Sequence, residues 1–454
     1  MLEKYKVYYR TLFAIFWVFM CFGFVSEELL PFLKSLKSPI FALADFSFLF
    51  LGIICLRRKS DLYIILSFVL VSVISTIIVN RLSLTTYING SRDFFGLLFA
   101  LPVVFFFLTG PHAKDFKKRF DKQLFIWLCL QPFCMVWQFM KYGAGDHGGG
   151  SIGNMESGIC SIFIYTISFY LVYQKWDYNN YGRSLRDNWI YIFLLFPTFL
   201  NETKASFIYL ALYFVLLYKP NKSTILKIVY IVPIAIVAFI GLGQLYAKAT
   251  HQEDTTFDED FFITYFIGFE GDIEWLQDMY YKLEDGEFDF LWDNELWNID
   301  VPRFAKIMLM FDLVKDCKGG MVCGAGIGQL KGQTNLGVTD FFKKNAWIIG
   351  GSKPWLFYLF IQLGFLGYLW FFPSIYYQYF SGPKMRFPGY QILIFILACS
   401  ILMLFYGDSF RKINFCLIFF YLLSSSRYIV FPLNRRETTP DKIDENDIVS
   451  ELDS

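Results

Sequence analysis

Apolar residues along this chain gather into long runs separated by short polar segments. The runs fall near residues 10–25, 40–56, 62–79, 94–108, 123–140, 157–174, 188–200, 204–218, 225–246, 355–373, 388–407 and 411–424. Several are shorter than the roughly 20 residues an α-helix needs to cross about 30 Å of hydrocarbon, so flanking Tyr and Trp, snorkelling Lys and Arg, or local thinning make up the length. The pattern predicts an all-α fold, a polytopic membrane bundle of about twelve transmembrane helices. Runs 188–200 and 204–218 are the weakest. They meet at Asn201, Glu202, Thr203 and Lys204, either a tight hairpin or a break inside one bent pair. Runs 388–407 and 411–424 are similarly tight.

One polar stretch interrupts the pattern. Residues 247–354 carry 19 acidic against 10 basic side chains, and the segment is predicted to fold outside the membrane as one large, largely helical loop. Trp275, Leu276, Met279, Tyr280 and Leu283 recur at helical spacing, as do Phe304, Ile307, Met308, Phe311 and Val314. Loops of this length without a task are uncommon. The expected organisation is helices one to nine within 1–246, the loop at 247–354, helices ten to twelve within 355–424, and a polar tail at 425–454, acidic and expected to be disordered.

Composition agrees with a bilayer as solvent. Of 454 residues, 56% are apolar and 18% charged, with 55 Phe, 29 Tyr and 11 Trp to fill helix gaps and crowd the interfaces. The net charge of +1 argues against a nucleic-acid partner. Seven of the nine Cys lie in apolar runs as small hydrophobes, leaving Cys317 and Cys323 as the disulfide candidates. The first helix follows a basic segment without a small-residue cleavage site and reads as uncleaved. With the N-terminus inside, inner segments hold 23 Lys and Arg and short outer loops hold 8, which puts both termini in the cytoplasm and the large loop outside. Lys114, Lys117, Lys118, Arg119 and Lys122 read as a solvated orienting loop rather than a lipid site.

Charges stand where charges are costly. Arg92, Asp93, Lys204, Arg303 and Arg411 all fall toward the outer face. Each fits interfacial snorkelling alone; together, beside a glycine-rich loop, they fit a cationic site for a phosphate-bearing or other anionic ligand. That loop runs from Gly319 and Gly320 through Gly324, Gly326 and Gly328, with no strand before it, which excludes a dinucleotide fold and leaves either a phosphate nest or a bare turn. A second glycine-rich stretch, Gly143 to Gly153, carries Asp146 and His147 and leads to Asn154 and Glu156; as a plain flexible loop it needs no further explanation.

Three patches in order resemble the O-antigen polymerase and O-antigen ligase superfamily. Gly150-Ser151-Ile152-Gly153-Asn154 is similar to a G-x-x-G-N stretch before the family's sixth helix. Thr203-Lys204-Ala205-Ser206 falls where the family has Ser-Arg-Gly, and Arg303, Gly324, Gly326, Gly328 and Gln362-Leu363-Gly364-Phe365-Leu366-Gly367 resemble its Arg, G-x-G and "ELGLLG" series. The resemblance implies a membrane glycosyltransferase of the bacterial cytoplasmic membrane that takes glycan from a polyprenyl diphosphate. The acceptor is either another lipid-linked repeat unit (polymerase) or a lipid A-core sugar (ligase). Its partners would be lipid-linked oligosaccharide, membrane lipid and a chain-length regulator. Ligases carry a His before the last motif; here the residues are Gly350, Gly351, Ser352, Lys353, Pro354 and Trp355, which favours a polymerase. The family's Arg is Lys204 in this chain, which keeps charge and loses the bidentate fork.

The chemistry follows from the leaving group. Fixed cations stabilise a departing diphosphate more in the transition state than before it. Arg303 and Lys204 with Glu202 are the expected catalytic residues, and Arg92, Lys204, Arg303, Gly324, Gly326 and Lys353 the expected diphosphate contacts. Asp146, His147, Asn154 and Glu156 are expected around the acceptor; Glu202, Asp146, His147 and Glu156 are the base candidates. No metal and no other cofactor is expected, because the acidic residues show no compact ligand spacing. Trp275, Trp292 and Trp297 suit stacking on sugars as well as docking of the loop. A secondary transporter and a sensory protein with an outer binding loop are the competing classes; no repeat between halves speaks for the first.

Overall fold

The computed structural model describes residues 2–143, 147–178, 180–201, 205–217, 303–331, 339–350, 353–380 and 389–428. Run 225–246, Trp275, Trp292, Trp297 and most of the large loop, Asp146, Glu202, Lys204 and nearly all of the acidic tail lie outside the described residues. Among those described, every element is helical and the one β feature is an isolated bridge from Gly319 to Gly324.

The helices are α1 (Leu2–Phe24), α2 (Lys37–Cys55), α3 (Lys59–Val73, extended by a π-helical turn to Val79), α4 (Leu84–Ser91), α5 (Phe95–Leu108), α6 (Ala113–Tyr142), α7 (Ser157–Tyr173), α8 (Tyr181–Asp187), α9 (Trp189–Phe193) and α10 (Ala205–Leu216). After the large loop begins come α11 (Arg303–Lys315), α12 (Gly320–Cys323), α13 (Asp340–Ile349), α14 (Trp355–Phe380), α15 (Gly389–Tyr406) and α16 (Ile413–Tyr428). Seven helical stretches among the described residues are long and apolar enough to cross a membrane. Every expected run that falls on described residues is helical. Run 188–200 is not one rod but α9 followed by a 3-10 segment, Phe196–Asn201.

α5 sits at the centre, buried on nearly all sides, with α16 and α2 along it. Close approach there depends on small residues: a Cβ on Gly96 would stand 3.1 Å from the Ile413 Cα, and one on Gly52 2.5 Å from Phe99. Phe107, Phe116, Phe120 and Tyr421 continue the core by ring contacts between α5, α6 and α16.

The two ends of the bundle differ in charge. At one end Arg58 pairs with Asp61 and Lys117 with Asp121, but further cations outnumber the carboxylates: Arg57 lies over Phe106, Arg119 over Tyr9, and Lys114, Lys118 and Lys122 are exposed. At the other end cations pair with carboxylates: Lys37 with Glu27, Lys141 with Glu28, Lys412 with Glu156. The first is called the basic end below and the second the paired end.

α14 is not the single crossing helix its length suggests. Gly364 has φ +59° and ψ −151°, a region open essentially to glycine alone, and the chain reverses there. The Trp355 and Phe371 rings are 5.7 Å apart, and the Tyr368 hydroxyl donates to the Leu356 carbonyl at 2.9 Å. In a continuous helix, residues as far apart as Trp355 and Phe371 would be roughly 24 Å distant. Residues 355–363 and 365–380 therefore form a helical hairpin. The second arm runs antiparallel to α3, with Trp370 bonded to the Ile64 carbonyl (3.2 Å) and Tyr377 to Ser60 (2.5 Å).

The break frees carbonyls that the glycine loop uses. The amides of Ala325 and Gly326 donate to Ile361 and Gln362 carbonyls (2.7 and 3.1 Å), Ile327 to Thr76 Oγ1, and Gly328 to Gln362 Oε1 (both 2.9 Å). Gly324 itself bonds to Gly320, and a Cβ on it would lie 2.7 Å from the Ile361 carbonyl oxygen. The backbone donors of residues 324–328 are thus engaged within the chain. Gly324 and Gly326 act in packing, and the phosphate nest expected of them has no open donors.

Two smaller expectations change as well. Cys317 and Cys323 are separate free thiols, because α12 turns Cys323 inward while Cys317 points back to the Leu313 carbonyl. On α11 the buried residues are Ala305, Lys306, Met310, Leu313 and Val314, whereas Phe304 and Met308 are exposed. The buried stripe is turned from the expected one because Lys306 reaches inward to the Gly350 carbonyl at 2.7 Å.

Candidate functional site

Arg92 and Asp93 occupy a single 3-10 turn, Arg92–Phe94, between α4 and α5. The turn sends successive side chains in different directions. Arg92 reaches α2, where Nε (2.9 Å) and Nη2 (2.5 Å) share one Asp45 oxygen. Asp45 sits two turns into α2, roughly 12 Å from the start of that helix. Asp93 is buried and accepts from Lys331 at 2.5 Å and from the Tyr358 hydroxyl. Phe94 packs against Phe68 at 4.8 Å and Trp355 at 5.9 Å, which seats this turn inside the bundle rather than on its rim.

From Asp93 the charges continue across the paired end. Tyr358 carries the Arg411 guanidinium 5.9 Å from its ring centre. Arg411 lies in the connection 407–412 between α15 and α16, with Nε 2.8 Å from Asp408. Lys412 hydrogen-bonds Glu156, which stands immediately before α7. Arg303, the first residue of α11, lies 4.0 Å above the ring of Tyr406 at the end of α15. A Cβ on Gly158 would stand 3.8 Å from that same ring, so α7, α11 and α15 meet around Tyr406.

Electrostatics bind the group together. Burial alone would raise the Asp408 carboxyl, but Arg411, Lys412 and Lys353 outweigh it and hold that carboxyl below its usual range. Asp408 in turn keeps Arg411 protonated more firmly than usual, against the opposing effect of burial. Arg92–Asp45, Lys331–Asp93, Arg411–Asp408 and Lys412–Glu156 are four ion pairs of this end, and Arg303 and Lys353 stand beside them in a partly dehydrated place.

Set against protein-family models, curated proteins and solved structures, the chain matches none. What the site does is read from its own residues.

Of the residues expected from sequence, the structure brings Arg303, Lys353, Arg92 and Glu156 into this group. His147 and Asn154 belong to a neighbouring patch: His147 Nδ1 is 2.9 Å from Asn154 Oδ1, its ring stacks on Tyr142 at 5.1 Å, and the Asn154 amide donates to Glu27 at 2.7 Å. The stretch 150–153 is buried rather than a flexible loop. Ser151 Oγ bonds the Met20 carbonyl (2.5 Å), Trp127 Nε1 (2.9 Å) and Gln131 Nε2 (2.9 Å), and a Cβ on Gly23 would overlap the Ile152 carbonyl. That anchoring fixes where Glu156 emerges.

Sequence reasoning gave no site role to Lys331, Tyr358, Asp408 or Lys412. Lys331 follows the glycine loop and was indistinguishable from a surface lysine. Asp408, Arg411 and Lys412 had a signal: three charges in a six-residue connection between two apolar runs, with Asp and Arg three apart.

Proposed function

We propose that this chain is a membrane glycosyltransferase that polymerises polysaccharide repeat units, for O-antigen, capsule or exopolysaccharide. It would transfer glycan from a polyprenyl diphosphate donor to a hydroxyl of a lipid-linked acceptor. The observation that carries the reading is the gathering of Arg303, Arg411, Lys412 and Lys353 around Tyr406 and the 407–412 connection. Such a group suits a diphosphate, whose charge grows as the sugar bond breaks, because fixed cations need no reorganisation as that charge develops. Arg303 and Arg411 offer planar forks for phosphate oxygens, and Lys353 and Lys412 add point charges. The order of motifs that resembles the polymerase and ligase superfamily supports the same chemistry, and the absence of His between 350 and 355 favours polymerase over ligase.

The paired end is read as the outer face and the basic end as the cytoplasmic face of the inner membrane, on the excess of Lys and Arg at the basic end. The test replaces Arg303 or Arg411 with Ala and resolves surface glycan on a gel. A polymerase predicts collapse of long chains to a single capped repeat. Complete loss of surface glycan with lipid-linked polymer accumulating would indicate a ligase, and unaltered glycan with folded protein would refute both.

A further inference from the structure

Resting on that reading, we infer that Glu156, placed by its ion pair with Lys412, is the base that takes the proton from the acceptor hydroxyl. Three observations carry this.

The first is which carboxylate is accessible. Asp93 is engaged by Lys331 and Tyr358, Asp45 by two nitrogens of Arg92, and Asp408 by Arg411 under the charges of Lys412 and Lys353. The Glu156 side chain is 35% exposed, against 11%, 15% and 17% for those three, and its ion-pair partner among the described residues is the Lys412 ammonium. A lysine makes a point-charge contact that a second anion can share.

The second is position. Glu156 meets Lys412, which follows Arg411 in the 407–412 connection, and that connection leads on from Tyr406, over whose ring Arg303 lies at 4.0 Å. The carboxylate therefore meets the same connection that carries the cations proposed to hold the diphosphate.

The third is rigidity. The buried hydrogen bonds of Ser151 to α1 and α6 hold the stretch that delivers Glu156, so the carboxylate is placed by the fold and not by a mobile loop.

The reaction balances as follows. The acceptor oxygen attacks the anomeric carbon, the bond from that carbon to the diphosphate oxygen breaks, and its electron pair leaves with the polyprenyl diphosphate. The hydroxyl proton passes to the Glu156 carboxylate and then to solvent.

The test uses detergent-solubilised full-length protein, with undecaprenyl diphosphate as the binding probe and lipid-linked repeat unit as substrate. Glu156→Gln should bind the probe at least as tightly as wild type, because Lys412 is released, yet elongate at least about 100-fold more slowly. Glu156→Asp, which keeps a carboxylate on a shorter stem, should bind the probe as wild type does and elongate about tenfold more slowly. A structural brace predicts instead that Glu156→Gln lowers probe binding and thermal stability along with kcat. Elongation by Glu156→Gln at the wild-type rate overturns the assignment. Should Glu156→Gln fail to fold, Glu156→Asp decides alone, and elongation at the wild-type rate there overturns it. If wild-type protein binds the probe no better than Arg303→Ala, the glycosyltransferase reading itself falls, and the base assignment falls with it.

Discussion

Arg303 lies over an aromatic ring and opens a helix, so its planar group is held by stacking as well as by charge. Replacing it with Lys keeps the charge and loses both the fork and much of the stacking. Elongation should fall about tenfold in Arg303→Lys and about 100- to 1,000-fold in Arg303→Ala, measured as the rate of chain growth from lipid-linked repeat units. Asp408 supplies a second prediction at this scale. Its folded carboxyl is held below its ordinary range, so its contribution to stability is complete above about pH 4 and disappears as pH falls through the depressed value. Asp408→Asn should cost about 2 kcal/mol at about pH 7, by leaving Arg411 with an uncompensated charge, and progressively less as pH falls below about 4. Thermal melting in detergent over that pH range checks it; a loss that does not change with pH would show that the pair contributes by packing alone.

At the scale of elements, the α14 hairpin decides the most. Gly364 carries a backbone conformation closed to side chains, and a Cβ there would lie 2.4 Å from the Met321 carbonyl oxygen and 2.5 Å from that of Val322. Gly364→Ala should destabilise by on the order of 3 kcal/mol and detach the glycine loop from α14. Gly158→Ala, on α7, meets Tyr406 at an ordinary 3.8 Å and should melt within a degree or two of wild type. The difference between these two glycines also marks what the sequence could tell. Hydrophobic runs announced where helices are, since a run long enough to cross a bilayer has few other uses. Nothing in the apolar run from Trp355 to Phe380 announced the reversal, because a glycine within a helix reads the same whether the helix continues or turns back. Likewise Gly324 and Gly326 signalled a tight loop correctly, but spacing alone could not say that its donors were already used by Ile361, Gln362 and Thr76. Arg303 and Glu156 were legible as charges at helix ends. Their partners, Tyr406 and Lys412, come from more than a hundred residues away and are set by packing, which no local pattern encodes.

Across the whole molecule, the separation into a basic end and a paired end makes topology testable. Lys34 is exposed at the paired end and Lys118 at the basic end. With the paired end outside, Lys34→Cys should react with a membrane-impermeant thiol reagent in intact cells, and Lys118→Cys only after permeabilisation. Of the native thiols, Cys317 also lies beyond the crossing helices; burial, with help from Asp316, pushes it up to about 11, so its background reaction at neutral pH is slow. The reverse labelling pattern would place the cation group in the cytoplasm, where the proposed lipid-linked acceptor chemistry would not belong.

The four ion pairs of the site carry a consequence for ionic strength. Charges paired within contact distance and half withdrawn from water cast little field beyond the Debye length of about 8 Å at physiological salt. Dissolved ions have little to screen, so donor capture should vary only slightly between dilute and concentrated sodium chloride. On the proposed reading, a lipid-linked donor would reach the site by diffusion within the bilayer, and long-range attraction would contribute little to its arrival.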